Sequence, residues 1–177
     1  MKSKSYKLVL AGMFAALGIV LPQLFHLSLG IAAGQAFLPM HIPAILSGLI
    51  LGGPYGAATG FISVFVSSLA TGMPAMPRLP FMLLEVTAYG YAAGLFYKII
   101  KTQNQIIKIF LALILAQIAG RLAYFLCLLI CIYAFGIKSE TISFTYFIAS
   151  FISGIPGIIM QLLIVPPISA LVKKMSL

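Results

Sequence analysis

Apolar runs long enough to cross a lipid bilayer recur from one end of the chain to the other, and most charges lie at the edges of these runs. The chain has 177 residues, of which 62% are hydrophobic and 7% are charged. A soluble domain of this size could not bury so much apolar surface, so the bilayer must be its solvent. Since a spanning helix needs about 20 residues, the length allows roughly six spans and no separate aqueous domain. We therefore expect one all-α transmembrane domain over residues 1–177.

Glycine, proline and polar clusters divide the chain into six predicted helices. Gly52-Gly53-Pro54 combines a helix-ending glycine with a proline that can open the next helix. Three prolines and a glycine within residues 71–80 predict an irregular loop, and Gly154, Pro156 and Gly157 predict a kink. The predicted helices are residues 6–24, 37–51, 54–71, 81–97, 109–135 and 144–172.

The distribution of basic residues predicts the topology. With the N-terminus inside, eight lysines lie on the cytoplasmic side, namely Lys2, Lys4, Lys7, Lys98, Lys101, Lys108, Lys173 and Lys174. Only Arg78 and Lys138 then face outward. Because cytoplasmic loops of membrane proteins are enriched in Lys and Arg, this bias predicts six spans with both termini in the cytoplasm.

Several function classes are excluded by what the chain lacks. The formal charge of +9 reflects these topology signals and does not indicate nucleic-acid binding. Two acidic residues, Glu85 and Glu140, are too few for a carboxylate metal site or a carboxylate-pair hydrolase. Cys127 and Cys131 lack zinc-ligand spacing. There is no phosphate-cradling glycine loop with its lysine. We therefore expect no catalytic residue, metal or cofactor, and no ATP hydrolysis by this chain.

Two ionisable side chains lie inside predicted spans, where a charge is costly without a partner, a cavity or a ligand. Glu85 lies 12 residues before Tyr97, and Arg121 lies 13 residues after Lys108. At about 1.5 Å per residue, both side chains are then about 18 to 20 Å from the cytoplasmic helix ends. The spacing predicts that Glu85 and Arg121 share one layer of the bundle.

Other polar and aromatic residues fall near the same layer. Gln161 has a similar predicted depth, Gln117 and Tyr89 lie one helical turn from Arg121 and Glu85, and Tyr124 follows Arg121 by three residues. Two interpretations stay open from the residues alone. The layer either lines a binding cavity, for which one arginine and one glutamate favour a ligand of low net charge, or is an internal ion pair that fixes helix packing.

The predicted outer loops supply candidate rim and lid groups, namely His26, Gln35, His41 and Arg78. Two histidines without a nearby acid or thiolate make a poor metal site, so interfacial hydrogen bonding is the role we expect for them.

Small residues cluster near the start of the first helix. Ala11 and Ala15, with Gly12, Ala16 and Gly18, allow another helix to approach closely. This surface serves either the internal bundle or an external partner, and the residues leave both alternatives open.

The chain resembles the substrate-binding S components of energy-coupling factor (ECF) transporters. The resemblance is carried by the length and six-span plan, the segment Ala11-Gly12-Met13-Phe14-Ala15, residues 37–43 with 52–56, and residues 67–74. It implies a bacterial cell-membrane protein that binds a vitamin near the outer face, using helices four to six with loops one and three as a lid. It also implies docking of the first helix on a transmembrane coupling protein that carries two ATPase subunits.

Carried over to this sequence, the resemblance implies that Ala11 and Ala15 form the docking surface. It implies that Glu85, Tyr89, Gln117, Arg121, Tyr124 and Gln161 line the cavity. His41 and Arg78, named above as rim candidates from their place near the outer loops, complete the predicted binding site. The candidate cargoes are a cobalamin-related compound, a thiamine or pyridoxine precursor, and pantothenate. The alternative functions are a self-sufficient carrier with Glu85 as its proton site, and an intramembrane enzyme or scaffold.

Overall fold

The computed structural model describes residues 3–30, 34, 36–137 and 142–175. Four residues named above, Lys2, Gln35, Lys138 and Glu140, lie outside the described residues, as does the side chain of Lys173. The fold is therefore given for the described ranges.

The described residues form seven α-helices. They are α1 (Lys4–Leu29), α2 (His41–Leu51), α3 (Gly53–Thr71), α4 (Leu79–Ile99), α5 (Gln105–Leu129), α6 (Phe144–Ser153) and α7 (Ile155–Met175). A single 3-10 turn, Met76–Arg78, precedes α4, and a π-helical segment, Ile130–Ala134, extends α5. Predicted helices three and four are found with boundaries shifted by two residues or fewer.

The first predicted helix was too short. It was expected to end near residue 24, with His26 and Ser28 in a loop, but α1 continues through both residues to Leu29. The helix ends at Gly30, whose φ of 83° an L side chain rarely adopts and whose amide donates to the His26 carbonyl. One polar residue per turn did not end the helix, whereas the glycine did.

The fifth and sixth predicted helices also differ from the structure. α5 begins at Gln105, four residues earlier than expected, because the Asn104 side chain accepts from the amides of Ile106 and Ile107. The predicted helix over residues 144–172 is two helices, α6 and α7, with the break at Gly154. The kink was therefore predicted at the right place. Phe37 is helical, but residues 38–40 interrupt the predicted second helix, and α2 begins at His41.

Four segments within the described ranges are long and apolar enough to cross a membrane: Lys4–Leu29, Met76–Ile99, Gln105–Ala134 and Ile155–Val172. Two more apolar helices, α2 and α6, are shorter. α3 has 19 residues, but its glycines, serines and threonines lower its apolarity. The expected number of six spans and the cytoplasmic position of both termini stay predictions.

The surface of α3 shows which solvent surrounds the bundle. Its buried residues are small or polar, including Gly56, Thr59 and Ser63, whereas its exposed face carries large apolar side chains such as Phe61 and Phe65. A helix in water shows the opposite pattern. Small residues at helix contacts and large apolar residues outside are typical of a helix surrounded by lipid.

The helices α2, α3 and α4 cross at glycines. A β-carbon on Gly90 would collide with the Gly56 carbonyl, and one on Gly48 or Gly56 would collide with the Gly90 carbonyl. Such close approach of backbones is possible only without side chains. Around this crossing, the core is built from apolar residues of α2, α4 and α5, among them Ile45 and Leu113.

Basic residues gather at one end of the bundle. Lys7, Lys98 and Lys108 line one surface depression, and Lys174 lines a second one beside Asn104. One cavity is lined by Pro22, His26 and Arg78. Because Pro22 and His26 lie four helical turns or more along α1 from Lys7, this cavity is far from the lysines. These four lysines therefore lie at the end of the bundle away from Arg78, and which side of the membrane that end faces stays a prediction.

Candidate functional site

A cavity of about 230 Å³ lies between α4, α5 and α6, with walls added by the segments that precede α2 and α4. Its lining combines charged, hydroxyl and aromatic side chains: Leu38, His41, Arg78, Met82, Glu85, Arg121, Tyr124, Tyr146, Ala149, Ser150 and Ser153. We call this the polar cavity. Five of the eight residues predicted for the binding site line it, namely Glu85, Arg121, Tyr124, His41 and Arg78.

Glu85 and Arg121, which were predicted to share one layer of the bundle, form an ion pair. Nη1 of Arg121 on α5 is 3.0 Å from Oε1 of Glu85 on α4, and both side chains are largely buried. Nε and Nη2 of Arg121 are buried and have no hydrogen-bond partner among the described residues. One guanidinium therefore pairs with Glu85 and keeps two buried donors without a partner among the described residues.

Tyr89 and His41 lie next to this pair. The Tyr89 hydroxyl donates to Oε1 of Glu85 over 3.3 Å, which gives the carboxylate a second donor. The His41 ring meets the edge of the Tyr89 ring with centroids 5.1 Å apart. His41 is 2% exposed, and neither of its ring nitrogens has a hydrogen-bond partner in the described part of the chain. Tyr89 therefore stabilises the Glu85 carboxylate without lining the polar cavity, whereas His41 lines the cavity itself.

The second arginine belongs to the cavity and not only to its rim. Arg78 closes the 3-10 turn before α4 and lies over the Tyr146 ring, 5.3 Å from its centroid. Arg121 similarly lies 5.5 Å from the centroid of Phe151. These two rings belong to α6, so that helix positions both guanidinium groups by cation–π contact.

Tyr124 joins the cavity to an aromatic cluster. Its ring lies 5.2 Å from Phe81 and 5.4 Å from Phe147, measured between centroids. These rings offer a flat apolar wall beside the charged groups.

Gln117 and Gln161, both predicted near the layer of Glu85 and Arg121, contact each other and do not line the polar cavity. Nε2 of Gln117 donates to Oε1 of Gln161 over 3.1 Å, which links α5 to α7. Gln117 lines a separate apolar groove beside α6 and α7, and Gln161 is 1% exposed. These two side chains therefore link helices in this conformation.

Three polar lining residues on α6 were not identified from the sequence. Tyr146, Ser150 and Ser153 recur at intervals of four and three residues, so they lie on one helical face. That face was the signal that could have revealed them. No residue of α6 is buried, so this wall of the cavity is only lightly packed against the bundle.

A second cavity of about 180 Å³ adjoins the polar cavity. It shares Leu38, His41, Arg78 and Met82 with it and is further lined by His26 and Ser67. His26 therefore contributes from the end of α1 and not from a loop. Leu38 has a φ of 49°, which a leucine rarely adopts, and its side chain lies against Gly154 at the α6–α7 break.

Ala11 and Ala15 lie against α3 in this conformation. They are 7% and 4% exposed, and their carbonyl oxygens lie 3.4 Å from Thr59 Oγ1 and 3.2 Å from Ser63 Oγ. The internal-bundle alternative therefore describes their contacts here. The small residues on the exposed face of α1 are Gly12 and Ala16, one position further along. Docking of a partner on Ala11 and Ala15 stays a prediction.

No group of three or more His, Cys, Asp or Glu side chains that could hold a metal ion occurs among the described residues.

The comparisons with known proteins give one match. A family model described as ECF transporter, substrate-specific component, matches residues 6–169. No curated protein and no solved structure matches.

Proposed function

Because the chain belongs to the family of substrate-specific components of ECF transporters, we propose that it binds a water-soluble vitamin or vitamin precursor in the polar cavity. In this proposal the solute is captured at the outer face of the cell membrane. It is delivered inward when the chain docks to a transmembrane coupling protein with two ATPase subunits.

The observation that carries the proposal is a polar cavity within an otherwise apolar bundle. Burying an arginine and a glutamate is costly, and apolar residues of similar size would often stabilise a fold equally well. Here the pair lines a space, and its guanidinium keeps two buried donors without a partner among the described residues. Unpaired buried donors cost free energy unless a ligand or water accepts from them. This arrangement supports a binding role.

The position of the cavity agrees with capture from the outside. The lysines gather at the opposite end of the bundle, and that end would face the cytoplasm under the positive-inside rule. The polar cavity and its neighbour would then lie toward the outer face. The adjoining cavity that contains His26 would be the entry chamber.

The surface of α1 supports a docking role for this helix. Its exposed residues include Gly12 and Ala16 on one strip, flanked by Met13 and Leu17. A β-carbon on Gly12 would meet nothing within 4 Å. We propose that this strip faces the coupling protein, in place of the predicted surface of Ala11 and Ala15, because those two residues contact α3 in this conformation.

The test is uptake by the reconstituted complex. Proteoliposomes would hold the chain with or without the coupling protein and the two ATPases. They would receive an equimolar mixture of water-soluble vitamins and precursors, and mass spectrometry would measure which molecules accumulate. We expect accumulation only with the complete module and ATP. Accumulation by the chain alone under a proton gradient would instead support the carrier with Glu85 as its proton site.

A further inference from the structure

We infer that the molecule bound in the polar cavity is a small organic monoanion, whose carboxylate is held by Arg78 and Arg121 together. This inference rests on the proposed function and assigns the chemical class of the solute. It replaces the low net charge expected from one arginine and one glutamate, because the structure brings a second arginine to the same space.

The charges around the cavity leave one positive charge unbalanced. Arg78 and Arg121, the two arginines of the sequence, both line it. Glu85 is the one described carboxylate in the lining, and it is already paired with Arg121. A ligand that carries a single negative charge would balance the site. A dianion would exceed this balance and would also lie beside Glu85.

The unpartnered donors of the two arginines that line the cavity have the same preference. Nε of Arg78 and both Nε and Nη2 of Arg121 are buried N–H donors without a partner among the described residues. Guanidinium N–H groups can only donate. A carboxylate offers two acceptor oxygens and binds such groups in paired, charge-assisted hydrogen bonds. A cationic ligand would bring further donors and leave these groups unpaired.

His41 is a third buried side chain of the polar cavity that could bind the ligand. It is 2% exposed, lines both cavities, and has no hydrogen-bond partner for its ring in the described ranges. It lies where the rest of the ligand would extend from the carboxylate toward the adjoining cavity. It can donate from one ring nitrogen and accept at the other, so it suits a hydroxyl or amide group.

The volume limits the size of the ligand. The two adjoining cavities measure about 230 and about 180 Å³. Pockets for drug-sized molecules span about 300 to 1,000 Å³, so the two together reach only the lower part of that range. A cobalamin-related compound is far too large for this space. Among the candidate cargoes, a compact hydroxy or amide acid such as pantothenate has the right charge and scale.

The experiment compares acids with matched neutral molecules. The purified full chain would be equilibrated with an equimolar mixture of nicotinate, nicotinamide, pantothenate, panthenol, biotin, biotinamide, pyridoxine and thiamine. Mass spectrometry would then measure which molecules the protein retains. We expect an acid to be retained at least about tenfold better than its neutral partner, since charged hydrogen bonds contribute more than neutral ones.

Variants test which groups make the difference. Arg78→Gln should lower retention of the acid by about 10-fold to 100-fold and leave weak binding of the neutral partner unchanged. Lys108→Gln removes a positive charge beside the Tyr97 ring at the other end of the bundle and should have no effect. The acid and neutral comparison on the unmodified chain does not depend on the folding of any variant.

The outcomes separate the two claims. Retention of a neutral or cationic molecule, or equal retention of the acid by the Arg78→Gln variant, overturns the monoanion and leaves the binding function intact. Retention of no molecule counts against the monoanion. If the protein retains no molecule and the complete module also takes up no vitamin, the proposed function is overturned as well.

Discussion

Arg121 on α5 contacts Glu85 on α4, with 3.0 Å between Nη1 and Oε1, and the same guanidinium keeps Nε and Nη2 without a partner among the described residues. An ion pair that served only helix packing would be expected to satisfy all its donors internally. The pair therefore links two properties of the chain, the alignment of α4 with α5 and the chemistry of the polar cavity.

A pair of single variants and their double variant would separate these two properties. Arg121→Gln should destabilise the protein by about 3 to 5 kcal/mol, because it leaves the buried Glu85 carboxylate without its partner. The double variant Glu85→Gln/Arg121→Gln should recover most of this loss, since no buried charge is then left unpaired. Thermal unfolding of the purified proteins in one detergent measures both. A double variant as unstable as Arg121→Gln alone would contradict this expectation.

The same double variant also tests the binding role. It should retain less of the vitamin that the unmodified chain retains, by about tenfold or more, because the charged donors are gone. Equilibrium dialysis with that vitamin measures the loss. Undiminished binding would mean that the ion pair serves helix packing alone.

The glycine crossing should be intolerant of even one methyl group. Gly90→Ala would place a β-carbon into the Gly56 carbonyl, where backbone atoms cannot give way cheaply. We expect a loss of about 1 to 3 kcal/mol or failure to fold. Gly12→Ala is the matched control, because its β-carbon would meet nothing within 4 Å. It should leave the thermal midpoint in detergent unchanged or raise it. Equal midpoints for the two variants would contradict the packing described for α3 and α4.

The two faces of α1 should respond differently to bulk. Ala16→Trp, on the exposed strip, should abolish ATP-dependent uptake while vitamin binding and thermal stability stay unchanged, because it blocks close approach of another helix. Ala15→Trp should lower thermal stability as well, since Ala15 is 4% exposed and lies against α3. Full uptake by the Ala16→Trp variant would remove this strip as the docking surface.

The α6 wall should affect binding more than stability. Tyr146 is half-buried, lies over Arg78, and belongs to a helix with no buried residue. Tyr146→Leu should weaken binding of the retained vitamin severalfold, because it removes the cation–π contact with Arg78. Such contacts contribute about 0.5 to 2 kcal/mol, depending on how far they are shielded from solvent. Tyr133→Leu, an exposed tyrosine outside the cavity, is the control. Isothermal titration calorimetry on both variants provides the comparison, and equal affinities would exclude a role for Tyr146.

Simple helix geometry predicted much of this site. Counting residues up from the helix ends placed Glu85 and Arg121 in one layer, and these two side chains are in contact. The same count gave Gln161 the depth of that layer and placed Gln117 one turn below Arg121, but it did not predict the contact between the two glutamines. The rise of a helix is constant, so depth can be read from sequence once the helix ends are known.

Rotation about the helix axis was harder to predict. Ala11 and Gly12 are both small, and nothing in the sequence told which of them would face α3. The contacts with Thr59 and Ser63 decided this, and these depend on how α1 packs as a whole. The polar residues of α6 were missed as cavity walls for a similar reason, since the break at Gly154 separates α6 from α7 and lets it line the site.

The most direct measurement is the small-molecule content of the purified protein. After equilibration with the vitamin mixture and removal of free solute, mass spectrometry would quantify what the unmodified chain and the Glu85→Gln/Arg121→Gln variant release on denaturation. We predict close to one vitamin molecule per unmodified chain and little from the variant. Equal amounts from the two proteins, or none from the unmodified chain, would contradict a vitamin-binding cavity built on this ion pair.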